Sequence, residues 1–142
     1  MKASARNQFS GIVNEVRIGT VNAEVHIGLK GGETIVASIT KASVESLEIK
    51  VGLNVIALVK APQIIIVTDF GGYRLSARNQ LQGTITQVKA GAVNTEIDIE
   101  LKGGEQVTAT VTNDSVETLG LHKDQPATAV FKAGAVILAV AS

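Results

Sequence analysis

The sequence predicts an all-β protein with one short helix per repeat, built as two tandem OB-like five-stranded Greek-key barrels. Three observations carry that prediction. First, the chain repeats itself: Ser4-Ala5-Arg6-Asn7-Gln8 recurs 72 residues later as Ser76-Ala77-Arg78-Asn79-Gln80. The same offset, with no gap, aligns Val21-Asn22 with Val93-Asn94 and Leu29-Lys30-Gly31-Gly32-Glu33 with Leu101-Lys102-Gly103-Gly104-Glu105. Between residues 4–70 and 76–142, 27 of 67 aligned positions are identical, which marks a duplication. Second, most of each copy alternates apolar and polar residues at the period of strands. Third, that period changes once per copy, to a helical one.

Each element of the first copy has its own signal. Gln8 to Ile18 is rich in strand formers and alternates, though imperfectly. Glu24 to Leu29 alternates cleanly; Gly31-Gly32 then supplies the positive φ angles of a tight turn, and Thr34 to Thr40 returns as the next strand. In Ser43-Val44-Glu45-Ser46-Leu47 the apolar pair lies three apart, with Thr40 placed to cap a short helix. Asn54 to Lys60 and Gln63 to Thr68 supply two further strands. The order β-β-β-α-β-β is that of a five-stranded Greek-key barrel, and the second copy reads alike through Ser142.

The repeat is longer than the roughly 20–50 residues of solenoid units, so each copy is expected to be a domain. Boundaries fall at residues 1–68 and 76–142, with a linker at 69–75 where Gly71-Gly72 breaks any regular element. Domains this small bury limited cores, and no cysteine is present to staple them. Association is therefore expected on stability grounds.

Composition narrows the function classes. Thirteen basic and thirteen acidic side chains cancel, whereas nucleic-acid binders draw affinity from a basic excess. Aromatics are only 3% of residues, leaving few platforms for base stacking, so no nucleic-acid partner is expected. Without cysteine there are no thiolate nucleophiles or thiolate metal ligands. No signal-peptide pattern begins the chain, and the longest apolar runs, such as Ile64-Ile65-Ile66-Val67, have the length of strands. A cytoplasmic protein with no membrane partner is the expectation.

The residues that could carry chemistry are donors. Lys60 and Lys132 each close an apolar strand and precede Ala61 and Ala133. They read equally as lysines snorkelling to water and as lysines held for an anion. Arg6 and Arg78 sit before the first strand of each copy beside Ser4 and Ser76, reachable by an anion but also ordinary for a surface turn. Thr40 with Ser43, and Thr112 with Ser115, mark helix starts, which cap their own backbone and also favour anions. Val21-Asn22 and Val93-Asn94 stand in glycine-containing bends, read first as turns and second as a place where backbone amides meet an anion. No acid/base pair and no nucleophile with a base repeats, so no catalytic residues are assigned and no enzyme is expected. Neither His26 nor His122 is repeated; both read as solvent-side residues.

The Ser-Ala-Arg-Asn-Gln start, the Val-Asn-x-Glu turn and the late Lys-Ala together resemble the molbindins, whose Mop domains occur in a tandem di-mop form. The likeness covers nearly the whole chain. It implies barrels that assemble as rings of six Mop units, here a homotrimer. It further implies molybdate or tungstate as the ligand, held between units for storage and homeostasis, with no separate cofactor and no metal bound directly by protein ligands. Carried over by motif, Ser4, Arg6, Thr40, Ser43, Lys60 and Ala61 form one half-set, and Ser76, Arg78, Thr112, Ser115, Lys132 and Ala133 the other. A second kind of site, near the threefold axis, would involve Val21, Asn22, Val93 and Asn94. One departure stands out: many members carry a serine after Lys-Ala, where this chain has Pro62 and Gly134. The competing readings are a molybdate-responsive sensor or interaction module read by another protein, and an oligonucleotide-binding barrel. The absence of a helix-turn-helix or P-loop pattern favours the free-standing buffer over the sensor.

Overall fold

A computed structural model describes all 142 residues. Strands β1 (Asn7–Ile18), β2 (Asn22–Gly28) and β3 (Thr34–Thr40) form an antiparallel meander. Helix α1 (Lys41–Ser46), strand β4 (Asn54–Val59), one 3-10 turn (Ala61–Gln63) and strand β5 (Ile65–Val67) complete the first copy. The second copy repeats this as β6 (Asn79–Ala90), β7 (Asn94–Leu101), β8 (Gln106–Thr112), α2 (Asn113–Leu119), β9 (Pro126–Phe131), a 3-10 turn (Ala133–Ala135) and β10 (Ile137–Val140). The expected order of elements is present in both copies. The fifth strand is shorter than Gln63–Thr68, because Ala61-Pro62-Gln63 turns before it.

What the order alone did not reveal is where the fifth strands go. The two sheets run β10-β4-β1-β2-β3 and β5-β9-β6-β7-β8, so each copy lends its last strand to the other. Ile65–Val67 pairs with Thr128–Val130 of β9, and Ile137–Val140 pairs with Val55–Leu58 of β4. Within each sheet the lent strand also approaches the far edge, β10 against β3 and β5 against β8, curling the sheet towards a barrel. The hydrophobic core is correspondingly one cluster drawn from both copies, with Ile27, Ile35 and Val59 on one side and Ile97, Leu101 and Phe131 on the other. Exchange inside the chain thus associates the two small copies through a shared core.

The segment between the copies turns at its paired glycines. Gly71 and Gly72 both have positive φ, and Asp69 accepts a hydrogen bond from the Gly71 amide at 2.8 Å. At the β2–β3 tip the expectation needs correction. Gly32 (φ 90°) supplies the left-handed turn residue, but Gly31 does not. Gly31 faces Gly103 of the other copy so closely that a Cβ on Gly31 would lie 2.7 Å from the Gly103 Cα. Its missing side chain is needed for contact, not for conformation.

Candidate functional site

The repeated pentapeptide places its polar residues at the seam between the copies. Asn7 and Asn79 are buried, each as the first residue of its strand. The Asn7 amide donates to the Thr108 carbonyl (2.8 Å) and the Val59 carbonyl (3.1 Å), while its oxygen accepts from the Thr108 amide (2.7 Å). Asn79 does the same to Val36, donating to its carbonyl at 2.8 Å and accepting from its amide at 2.7 Å. Thr108 and Val36 lie on β8 and β3, the outermost strands of the two meanders, so each asparagine satisfies an open strand edge of the opposite copy.

The neighbouring arginines cross the same seam. Arg6 Nη1 donates to Glu96 Oε2 at 2.5 Å, and Arg78 Nη1 to Glu24 Oε2 at 2.6 Å. All four side chains keep substantial exposure, the arginines about half. Arg78 above all, and then His26, hold the Glu24 carboxyl below the usual carboxylate range. The lysines stand close by along the backbone. Asn7 pairs with Val59 and Asn79 with Phe131, so one further step of register sets Arg6 opposite Lys60 and Arg78 opposite Lys132. Both lysines are exposed and neither forms an ion pair with a carboxylate. Ser4 and Ser76 are exposed beside them, while Ala61 and Ala133 are buried. Pro62 and Gly134 stand in the same backbone: Lys60 (φ −72°, ψ 136°) and Lys132 (φ −73°, ψ 145°) each lead into a 3-10 turn.

The remaining candidates gather at the other end of β3 and β8. Thr40 caps α1, accepting from the Ser43 amide at 3.0 Å and donating to the Ser43 hydroxyl at 2.8 Å. Thr112 and Ser115 repeat this at α2, with a hydroxyl–hydroxyl distance of 2.9 Å. The Val21 carbonyl accepts from the Lys41 amide (2.8 Å), and the Val93 carbonyl from that of Asn113 (3.0 Å). The two bends therefore sit against the helix starts, with all four of their residues exposed.

Across the seam, candidate residues of one copy approach those of the other. Arg6 and Asn7 reach β7 and β8, and the turn beginning at Ala61 packs against β8 as well. One residue, Val111, separates Glu96's cross-strand neighbour Thr110 from Thr112. The arginine and lysine of the first copy thus lie along the strand that leads to Thr112 and Ser115 of the second. The mirrored relation holds for Arg78, Lys132 and β3, against which the turn at Ala133 packs.

Sequence reasoning missed Glu24 and Glu96. The set of donors has a carboxylate at each arginine, and the signal was available in the repetition of glutamate at the matching place in both copies. It also misplaced His26, whose side chain is only 17% exposed and lies 3.0 Å from Glu24 Oε1.

The chain as a whole is similar to known proteins. The pattern of the TOBE domain matches residues 3–66 and again residues 75–138. The chain belongs to the TOBE-domain family. This TOBE tandem is 45% identical over 140 residues to the molybdenum transport protein ModE of Herbaspirillum seropedicae and 47% identical to ModE of Azotobacter vinelandii. It is 39% identical to the molybdenum-pterin-binding protein MopA of Rhodobacter capsulatus. These alignments take in 99% of this chain and 52–53% of each relative, so the chain spans about half the length of the curated relatives it matches. Among solved structures it superposes with a TM-score of 0.97 on ModG, described as a cytoplasmic molybdate-binding protein, in a form with molybdate bound. Identity there is 48%, over 99% of this chain and 100% of that one.

Proposed function

We propose that this TOBE tandem binds molybdate or tungstate as a cytoplasmic store, acting as a binder and not as a catalyst. The observation that carries the reading is the end-to-end likeness to ModG with its bound molybdate. Two copies of an arginine, a lysine and a threonine–serine pair, set along one strand at the seam, supply the charge and donors that a tetrahedral dianion requires. Ser4, Arg6, Lys60 and Ala61 with Thr112 and Ser115 form one such group; Ser76, Arg78, Lys132 and Ala133 with Thr40 and Ser43 form the other. The duplicated units are residues 1–68 and 76–142, each completed by the last strand of the other.

Assembly as a homotrimer belongs to the same reading. Equivalent apolar residues stand exposed in both copies: Val21 (69%) with Val93 (71%), and Ile65 with Ile137 (61% each). Such symmetric apolar positions suit head-to-tail contacts that close into a ring. Val21-Asn22 and Val93-Asn94 would then come together near the axis as a second kind of anion site.

Isothermal titration with molybdate, tungstate, sulfate and phosphate tests the proposal. Molybdate and tungstate should bind tightly. Sulfate should bind weakly because rigid donors spaced for a larger anion cannot contract, and protonated phosphate because it brings an unmatched donor. Sulfate binding as tight as molybdate would sink the reading. Arg6→Ala and Lys60→Ala should each weaken molybdate at least tenfold in a chain that stays folded.

A further inference from the structure

We propose that Glu96 and Glu24 are built-in competitors for the two seam arginines and make the copies unequal, so that an oxyanion is taken up first at Arg78 and only afterwards at Arg6. The inference rests on the oxyanion reading above and concerns how the two sites are tuned.

Each arginine already spends one terminal nitrogen on a carboxylate of the opposite copy, at 2.5 Å for Arg6–Glu96 and 2.6 Å for Arg78–Glu24. Both pairs are open to solvent, so they can loosen when a dianion arrives. The cost of loosening depends on what else holds the glutamate. Glu24 has two other basic neighbours: His26 Nε2 at 3.0 Å and Arg17 Nη1 at 3.9 Å. His26 needs no extra proton for this, since a neutral imidazole also donates one N–H. Arg17 is shared with Glu15, so His26 is the firmer of the two.

At Glu96 the equivalent positions have changed. Lys89 replaces Arg17 and forms no ion pair with Glu96, although the two are cross-strand neighbours. Asp98 replaces His26, two residues along the same strand and therefore on the same face. Asp98 accepts a hydrogen bond from the Thr108 hydroxyl at 2.8 Å and sets a second carboxyl group beside Glu96. Gln87 stands in place of Glu15. Arg6 is thus the only base paired with Glu96. If Arg6 turns towards an anion, Glu96 is left uncompensated next to a second carboxylate, and the incoming dianion meets both. At Arg78 the Glu24 carboxylate keeps its hydrogen bond to His26, and the further carboxylate on that face, Glu15, is itself paired with Arg17.

Titration of the full chain with sodium molybdate, in the wild type and in Glu96→Gln and Glu24→Gln, decides the matter. Glutamine keeps the shape and one acceptor while removing the charge. The wild type should show two classes of site, Arg6→Ala deleting the weaker and Arg78→Ala the tighter. Glu96→Gln should tighten the weaker class by about tenfold, the scale of repulsion between a unit charge and a dianion about 6 Å apart at water-like dielectric. Glu24→Gln should move the tighter class by about threefold or less, because Glu24 keeps its hydrogen bond to His26 and its nearness to Arg17 when Arg78 turns away. A single class in the wild type, equal gains from the two variants, or no tightening in Glu96→Gln would overturn the inference while leaving molybdate binding intact. No molybdate binding by the wild type would instead overturn the parent reading.

Discussion

Two of the places where the copies meet, the asparagine clasps and the glycine tips, differ in how they treat buried polar atoms. At the asparagine clasps, Asn7 and Asn79 satisfy both backbone groups of Thr108 and Val36, and no buried atom of either amide lacks a partner. At the glycine tips, Gly31 and Gly103 meet backbone to backbone, and both oxygens of Glu33 with one of Glu105 are buried without a hydrogen bond. Burial raises the Glu105 carboxyl above the usual range; the Glu33 charge adds to this and Lys30 opposes it. The same near-twofold relation thus produces one contact that holds the copies together and another that strains against them. Satisfaction of buried groups, more than proximity, separates the two.

The largest expected effect breaks a clasp. Asn7→Leu fills a similar volume but strands the Thr108 amide and carbonyl, at about 1–3 kcal/mol for each unsatisfied group. Urea unfolding should show a loss of about 2–5 kcal/mol. A loss under about 0.5 kcal/mol would mean that the clasp contributes little.

Next is the close backbone contact. Gly103→Ala would set its Cβ 2.6 Å from the Gly31 Cα, where backbone and not a flexible side chain must give way. A loss of about 1–3 kcal/mol is expected, typical of overpacking. Unchanged stability in thermal unfolding would show that the tips separate freely.

Much of this architecture was legible in the sequence, and the gaps have physical reasons. Alternation located the strands, and Thr40 and Thr112 marked the helix starts, because those signals are local. Strand exchange was not legible. Ile65–Val67 and Ile137–Val140 read as strands in either sheet, and their partners are chosen by long-range packing that a repeated sequence leaves degenerate. Asn7 carried an unread signal: it is in phase with Phe9 and Val13, the inward positions of β1. A polar side chain in core phase must find a partner. The arginine beside it drew attention because it is charged, yet it is the asparagine that is buried. Glu33 and Glu105 follow the hairpin glycines, and nothing local indicates that the two tips meet.

A smaller effect sharpens the comparison through pH. Glu105 has a raised folded-state pKa, so the folded protein binds its proton more tightly than the unfolded chain does. Stability associated with that proton is fully present below the unfolded carboxylate value and is lost as pH rises through the folded one. The wild type should therefore gain stability on mild acidification from neutrality. Glu105→Gln should be more stable at neutral pH and lack this gain. Thermal melts across the mildly acidic range would show it, and identical profiles for the two proteins would argue against the buried carboxylate.

Glu24 supplies the opposite slope and the smallest effect. Its folded-state pKa is lowered, first by the bond from Arg78 and then by that from His26. Stability from this pairing is present above the unfolded carboxylate value and is lost as pH falls through the folded one. Glu24→Gln should thus lose less stability than the wild type under strong acid and differ little at neutral pH. Its side chain is 27% exposed and both arginine neighbours are roughly half exposed or more, so the pairing is screened and contributes modestly. Raising the salt concentration should erase the difference between Glu24→Gln and the wild type. It should leave most of the Glu105→Gln difference in place, since the chief cause there is loss of water around the carboxylate and not a charged partner. Melts at low and high salt separate the two causes. If salt removed both differences equally, the seam and the tips would be governed by the same solvent-exposed electrostatics, and the contrast between a satisfied and an unsatisfied contact would fail.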